Sequence, residues 1–174
     1  MRTKAAWLVV VPFLLLARPT PALLGVGGII AALGLVLRAW SAGTLEKGKA
    51  LATSGPYAHT RNPLYLGSFA IAAGLTLAGG HWAWPAAAIA VFAAVYVPTM
   101  RREARRLSDL FGMRYAEYAA EVPAFVPRLT PYRAENPDRA GFTWSRYFRY
   151  REWEASLGAV AAFVVLWFRM RLGG

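Results

Sequence analysis

The residues best suited to chemistry lie in one short polar stretch, Gly55–Gly67 (GPYAHTRNPLYLG), between two apolar segments. Asn62 precedes a proline and is therefore disfavoured as ordinary helix, whereas Pro63 suits the first position of a helix. A helix that starts there presents unpaired backbone N–H groups, which bind anionic or carbonyl ligands. The stretch therefore predicts either a ligand site at a helix start or, more simply, a capped helix end at the membrane surface.

Four side chains or backbone positions of this stretch suit a charged or heterocyclic ligand. Arg61 adds a fixed positive charge, and the rings of Tyr57 and Tyr65 can cover a heterocycle or a sulfonium. Gly67 lets a ligand approach the helix backbone, because no side chain is in the way. We read these residues as candidates for a cofactor site, with interfacial tyrosine and arginine as the alternative.

Glu103 is the carboxylate of most chemical interest, and four arginines flank it in the sequence. It suits a surface ion pair, which contributes little to stability, or the acceptance of hydrogen bonds from a ribose diol. Composition alone leaves both open. The chain has no cysteine and only two histidines, His59 and His81, so we predict neither a thiol nucleophile nor a metal site.

The elements that position these residues are predicted to be membrane helices. Hydrophobic residues make up 57% of the 174 residues, which is too many for an ordinary soluble domain. We predict an all-α membrane bundle that forms one domain over residues 1–174, with residues 101–152 in the cytoplasm and an amphipathic helix over 101–120. Five apolar runs are the expected spans: Ala5–Ala17, Pro21–Leu37, Tyr65–Gly79, Trp82–Met100 and Trp153–Phe168.

The net charge of +11 has two explanations, nucleic-acid binding and membrane topology. With a cytoplasmic N-terminus, seventeen of the twenty Lys and Arg residues fall on the cytoplasmic side of the expected spans. This asymmetry is the positive-inside pattern of membrane proteins. We therefore predict an integral protein of the inner or plasma membrane and no nucleic-acid partner. The sequence does not predict the oligomeric state.

Two features of the first spans remain to be placed. Met1–Ala22 resembles a secretory signal peptide, but we expect this segment to be retained as the first span. Small residues let helix backbones approach closely in lipid, so we expect the glycines of the second and third spans to pack these helices together. The glycines concerned are Gly25, Gly27, Gly28, Gly34, Gly67, Gly74 and Gly79.

Two motifs resemble a known family. The stretch Gly55–Gly67 is similar to the GPY-x3-RHP-x-Y-x-G motif of the isoprenylcysteine carboxyl methyltransferases, relatives of the phospholipid N-methyltransferases, and Arg38–Leu51 resembles the approach to it. Glu103–Pro127 resembles the second motif, E-E-x2-L-x3-F-G-x2-Y-x2-Y-x3-V-P. As in that family, a membrane hairpin separates the motifs. The resemblance covers about half of the chain.

The resemblance implies an integral membrane methyltransferase that uses S-adenosylmethionine. Carried over by position, it implies that Arg61 and Glu103 serve catalysis, with Glu103 also on the cofactor. Two positions depart from the motifs: Asn62 replaces the histidine, and Ala104 replaces the second glutamate. His59 could compensate for the missing histidine, although an interfacial histidine is the simpler interpretation. The implied cofactor-binding residues are Tyr57, His59, Asn62, Pro63, Tyr65, Leu66, Gly67 and Glu103.

The expected acceptor is a lipophilic molecule or lipid that enters sideways from the bilayer. A carboxylate or thiolate acceptor needs no general base, whereas a phospholipid amine must lose a proton. Arg38, Lys47 and Arg61 suit an anionic acceptor. Two other functions remain open: a non-catalytic scaffold that binds anionic lipid, and an NADPH-dependent membrane reductase of the sterol type. Residues 134–174 lie outside the resemblance, and their role stays open.

Overall fold

The computed structural model describes residues 12–13, 16–46, 50–134 and 141–173, and every regular element in them is helical. The all-α prediction is therefore confirmed for this part of the chain. Most of the expected first span, residues 5–17, and Lys47 lie outside the described residues. The helices are α1 Pro21–Thr44, α2 Pro63–Ala78, α3 Ala83–Phe111, α4 Met113–Glu121, α5 Trp144–Arg149 and α6 Trp153–Leu172, and a 3-10 turn covers Gly55–Ala58.

Three of the described helices, α1, α3 and α6, are long and apolar enough to cross a membrane. The fourth apolar helix, α2, has 16 residues, which is roughly 24 Å and short of the ~30 Å hydrocarbon core. The chain is therefore an integral membrane protein by the length and composition of its helices. The expected number of five spans stays a prediction.

Helices α1 and α2 form an antiparallel pair held at two glycine–glycine crossings. A Cβ built on Gly34 would lie 2.7 Å from the carbonyl oxygen of Gly67, and one on Gly27 would lie 2.4 Å from that of Gly74. Each helix thus places two glycines seven residues apart, where only glycine allows the backbones to touch. The prediction of close packing is confirmed for these four glycines. It is wrong for Gly25, where a Cβ would meet nothing within 4 Å.

Helix α3 differs from the sequence-based expectation. The helix continues without a break from the apolar run through Pro98 to Phe111, so the charged residues after Met100 extend the same rod. At 29 residues it is roughly 43 Å long, well beyond the hydrocarbon core. Gly112, with φ +52°, then ends α3 and starts α4. The expected single amphipathic helix over 101–120 is therefore wrong, because a left-handed glycine divides it.

The short helix α4 packs against the extension of α3 to form a small core outside the apolar spans. Tyr115, Tyr118 and Val122 are buried together with Leu51, which comes from the segment between α1 and α2. Leu107 and Phe111 of α3 cover this cluster. The core therefore brings the end of α3 and the segment before α2 to the same place.

Candidate functional site

A cleft of about 740 Å³ opens between the end of α1, the start of α2, the extension of α3 and α4. Both motifs of the sequence contribute to it. The cofactor candidates that line the cleft are Tyr57, Arg61, Asn62, Pro63, Tyr65 and Glu103, and Ala104 lines it as well. His59, Leu66 and Gly67 are not part of its wall. The structure therefore gathers six of the nine candidate residues around one space.

The two motifs are joined directly by hydrogen bonds. The Asn62 Nδ2 group donates to the carbonyl oxygen of Ala124 at 2.8 Å, and the Arg61 backbone N–H donates to that of Pro123 at 3.0 Å. The Tyr118 hydroxyl donates to the carbonyl oxygen of Tyr57 at 2.7 Å. Further bonds of this set are Thr60 Oγ1 to Phe125 O, Arg128 N–H to His59 O and Tyr132 N–H to Ala58 O.

We call this set of hydrogen bonds between the two motifs the clasp. It accounts for the placement of His59, outside the wall of the cleft, and of Asn62, within that wall. His59 has its Nδ1 atom 2.8 Å from the carbonyl oxygen of Arg128, so its ring is engaged with the segment after α4. Asn62 uses its amide N–H to hold the same segment, in the place where the family motif has histidine. Roles of His59 and Asn62 in cofactor binding stay predictions.

Tyr65 and Glu103 meet across the α2–α3 hairpin. The Tyr65 hydroxyl donates to Glu103 Oε2 at 2.8 Å, although the two residues are 38 positions apart. The ring of Tyr65 also packs on Tyr96 of α3, with centroids 5.1 Å apart. Among the described residues, Glu103 forms no ion pair with the arginines that flank it in sequence. Its carboxylate is instead held at the mouth of the cleft by a tyrosine.

Arg61 lines the cleft and carries one buried donor that has no hydrogen-bond partner among the described residues. Its Nη1 group donates to the Tyr115 hydroxyl at 3.2 Å. Its Nε atom is buried and has no hydrogen-bond partner in the described part of the chain. A buried donor without a partner is costly, so this edge of the guanidinium is suited to an acceptor that arrives with a ligand.

The two buried tyrosines at the base of the site remain neutral at physiological pH. Burial raises the pKa of Tyr57 well above its usual range, and the nearby carboxylates of Glu103 and Glu152 raise it further. Burial also raises the pKa of Tyr118, and the charge of Arg61 offsets part of this shift. Tyr118 therefore keeps the hydroxyl proton that it donates to the Tyr57 carbonyl oxygen, and Tyr57 is a buried neutral ring.

Gly67 lies at the crossing of α1 and α2 rather than at the cleft. A Cβ there would come within 2.6 Å of Arg38 Cγ and 2.7 Å of the Gly34 carbonyl oxygen. The glycine therefore makes room for the stem of Arg38. Its predicted role, the close approach of a ligand, stays a prediction, and the observed neighbours are protein atoms.

Arg38 and Glu152 form a largely buried ion pair in the wall of the cleft. The Arg38 Nη2 and Nε groups lie 2.7 and 2.9 Å from Glu152 Oε2. Sequence reasoning missed Glu152, because it lies 114 residues from Arg38 and outside both motifs. The available signal was a carboxylate placed at the start of the last apolar helix, next to a basic stretch.

Comparisons with known proteins agree with the motifs. The profile of the phospholipid methyltransferase family matches residues 23–114. The chain is 38% identical over 119 residues to the cobalt-zinc-cadmium resistance protein CzcN of Cupriavidus metallidurans, covering 67% of this chain and 55% of the relative. It is 35% identical over 117 residues to the nickel-cobalt-cadmium resistance protein NccN of Alcaligenes xylosoxydans xylosoxydans, covering 66% and 54%. The chain thus spans about half the length of these relatives. No solved structure shows significant similarity to it.

Proposed function

Because the chain belongs to the phospholipid methyltransferase family, we propose that it transfers a methyl group from S-adenosylmethionine to a lipophilic acceptor at the cytoplasmic membrane face. The observation that carries this proposal is the Tyr65–Glu103 hydrogen bond. It joins the two motifs across the hairpin and puts a carboxylate at the mouth of a cleft that is lined by five of the other candidate residues.

The donor set of the cleft fits the cofactor. The buried Arg61 Nε group lacks a partner, and a carboxylate is the group that would satisfy it best. Glu103 would accept hydrogen bonds from hydroxyl groups of a ribose, and the rings of Tyr57 and Tyr65 would cover a flat or cationic part. When bound, S-adenosylmethionine supplies an electrophilic methyl group on a sulfonium.

The chain's own residues would then bind and orient rather than react. Methyl transfer needs the two reactants held in line and shielded from water, which is a task of positioning. The clasp between the two motifs fixes Arg61 and Asn62, and Tyr65 fixes Glu103. Leu107, Leu110 and Phe111 give the cleft an apolar wall, which would help to exclude water from bound reactants.

The arrangement of candidate bases bears on the acceptor. Glu103 and His59 are the motif side chains that could act as bases for an amine acceptor, and the His59 ring is engaged with Arg128 away from the cleft. The cleft is lined by four arginines and three glutamates and so has a small excess of positive charge; these residues are Arg38, Arg61, Arg101, Arg106, Glu46, Glu103 and Glu152. A carboxylate or thiolate acceptor would need no base and would match this charge, so we place these acceptors ahead of a phospholipid amine.

We also propose the orientation that the charge asymmetry predicted, with the N-terminus and the cleft on the cytoplasmic side of the inner or plasma membrane. The names of the two relatives refer to metal resistance. In the described residues no group of three or more His, Asp or Glu side chains lies close enough together to hold a metal ion. We therefore propose that any contribution of this chain to metal resistance comes from methyl transfer to a lipophilic acceptor. Metal ions are included as ligands in the test below.

The test is calorimetry on the detergent-solubilised chain with separate ligands. S-adenosylmethionine is expected to bind, and NADPH, Zn²⁺ and Co²⁺ are expected not to. A matched Arg61→Gln variant removes the charge with the unpartnered donor and should weaken cofactor binding. A chain that binds anionic lipid vesicles but not S-adenosylmethionine would be a scaffold, and one that binds NADPH would be a reductase. Either result would refute the proposal.

A further inference from the structure

Glu152 is a largely buried carboxylate that lies outside the part of the chain matched by the family profile. It immediately precedes α6, its side chain is only 9% exposed, and it lines the cleft. Carboxylates are rarely buried unless they are paired, and a pair that loses one member leaves an uncompensated charge. The position of Glu152 therefore depends on Arg38, and that of Arg38 on Glu152.

Arg38 connects Glu152 to the first turns of α2. Its Nη1 group donates to Ser68 Oγ at 2.5 Å and to the carbonyl oxygen of Leu64 at 3.4 Å. Its other two nitrogens contact Glu152. All three nitrogens are thus engaged, and the planar guanidinium has a single orientation that satisfies these partners together.

The atoms held by Arg38 flank Tyr65 in the sequence. Leu64 immediately precedes Tyr65, and Ser68 follows one helical turn after Leu64, which it also contacts through its own hydroxyl. Tyr65 in turn holds Glu103. Polar contacts therefore run from the start of α6 through Arg38 to the first turns of α2, and the backbone of α2 connects them to the Tyr65–Glu103 hydrogen bond at the mouth of the cleft.

We propose that Glu152 is a positioning residue for the methyl-transfer site. It fixes Arg38, and Arg38 fixes the first turns of α2 in the orientation that lets Tyr65 hold Glu103. This inference rests on the proposed function for its ligand, S-adenosylmethionine. The alternative is that the ion pair only fastens α6 to α1, in which case the cleft would not respond to its loss.

The test compares Glu152→Gln with Glu154→Gln in the full chain. Glu154 is two residues away, is 48% exposed and pairs with the exposed Arg151, so it is a matched control for charge at this helix end. We expect Glu152→Gln to raise the dissociation constant for S-adenosylmethionine about tenfold or more. The reason is that it removes the charge-assisted contact that holds Arg38 and, through Arg38, the first turns of α2. Glu154→Gln should bind like wild type, and Glu152→Asp, which keeps the charge, should restore most of the affinity.

A second readout needs no cofactor. The native chain has no cysteine, so Leu64→Cys introduces a single thiol on the first turn of α2, in the wall of the cleft. Glu152→Gln in this background should raise the rate of thiol labelling, and Glu154→Gln should leave it unchanged. If wild type does not bind S-adenosylmethionine, the proposed function fails, and the labelling rate still decides the role of Glu152.

Ser68→Ala removes one contact between Arg38 and α2 without touching the ion pair, so it tests the proposed route even if Glu152→Gln does not fold. It should raise both the labelling rate and the dissociation constant, by less than Glu152→Gln does. If Ser68→Ala labels and binds like wild type, the proposal that Arg38 transmits the effect of Glu152 to α2 is wrong. A Glu152→Gln variant that unfolds at a lower temperature but labels and binds like wild type would show that the pair is only a tether.

Discussion

Glu103→Gln is the substitution that most directly tests how the cleft holds a cofactor. The carboxylate is exposed at the mouth of the cleft, and Tyr65 donates a hydrogen bond to it at 2.8 Å. Glutamine keeps the size of the side chain and can still accept the tyrosine's hydrogen bond. The change therefore removes the charge while it leaves the local packing in place.

The expected loss follows from the strength of hydrogen bonds to a charged group. Such bonds contribute roughly 1.5–3 kcal/mol, which corresponds to about ten- to a hundredfold in affinity. A surface carboxylate that serves only as an ion-pair partner contributes under about 1 kcal/mol to stability and nothing to cofactor binding. We therefore expect the dissociation constant for S-adenosylmethionine to rise at least about tenfold, with little change in the unfolding temperature of the ligand-free protein.

A double-mutant cycle separates the carboxylate from the tyrosine that holds it. Tyr65→Phe removes a hydroxyl that orients Glu103, so it should cost about 0.5–1.5 kcal/mol of binding free energy. Because Tyr65 acts through Glu103, the double variant should bind no more weakly than Glu103→Gln alone. Fully additive losses would mean that Tyr65 contacts the cofactor independently.

The control for both measurements is Asp109→Asn, which removes a carboxylate from the same helix outside the wall of the cleft. Calorimetry on the detergent-solubilised chain gives the dissociation constants of wild type and of each variant, and thermal unfolding gives their stability. If Glu103→Gln binds like wild type and like Asp109→Asn, Glu103 is an ordinary interfacial charge and the reasoning about the second motif is wrong.

Three further outcomes are expected. Ser54→Cys, in a chain without other cysteines, should be labelled only from the cytoplasmic side, and labelling from outside an intact cell would overturn the topology. Asn62→His should keep cofactor affinity, whereas Asn62→Leu should lower it, because it also removes the side-chain hydrogen bond to Ala124. Equal affinity in wild type and Asn62→Leu would remove Asn62 from the site. Burial raises the pKa of Tyr118 in the folded protein, so its neutral hydroxyl contributes to the free energy of unfolding. This contribution is complete below the unfolded pKa of about 10 and declines as the pH rises above that value. Tyr118→Phe should therefore flatten the alkaline limb of a curve of stability against pH.

Much of the fold could be predicted because apolar runs and helix boundaries are local. Pro21 starts α1 and Pro63 starts α2 where the sequence indicates. The continuity of α3 was missed because hydropathy reports the end of an apolar run, not the end of a helix. The arginine-rich residues after Met100 are good helix formers, so the helix continues until Gly112.

Contacts across the cleft could be predicted only between residues that belong to the two motifs. Tyr65 and Glu103 belong to two motifs with a known order, so their meeting could be expected. Glu152 and Arg38 have no motif in common, and no periodicity connects residues 114 positions apart. Gly67 illustrates the same limit, because its contact with the stem of Arg38 is visible only once α1 and α2 are packed.

The clasp between the two motifs has a consequence for biogenesis. The backbone groups of Ala58, His59 and Arg61 find their partners in residues 123–132, beyond the whole α2–α3 hairpin. At about 5–20 residues per second of synthesis, those partners leave the ribosome several seconds after the first motif. During that interval the first motif lies at the membrane surface with its polar groups bound to water. Maturation of the cleft is therefore a late step, and a chain truncated before Pro123 should insert its helices yet expose residues 55–62 to proteases.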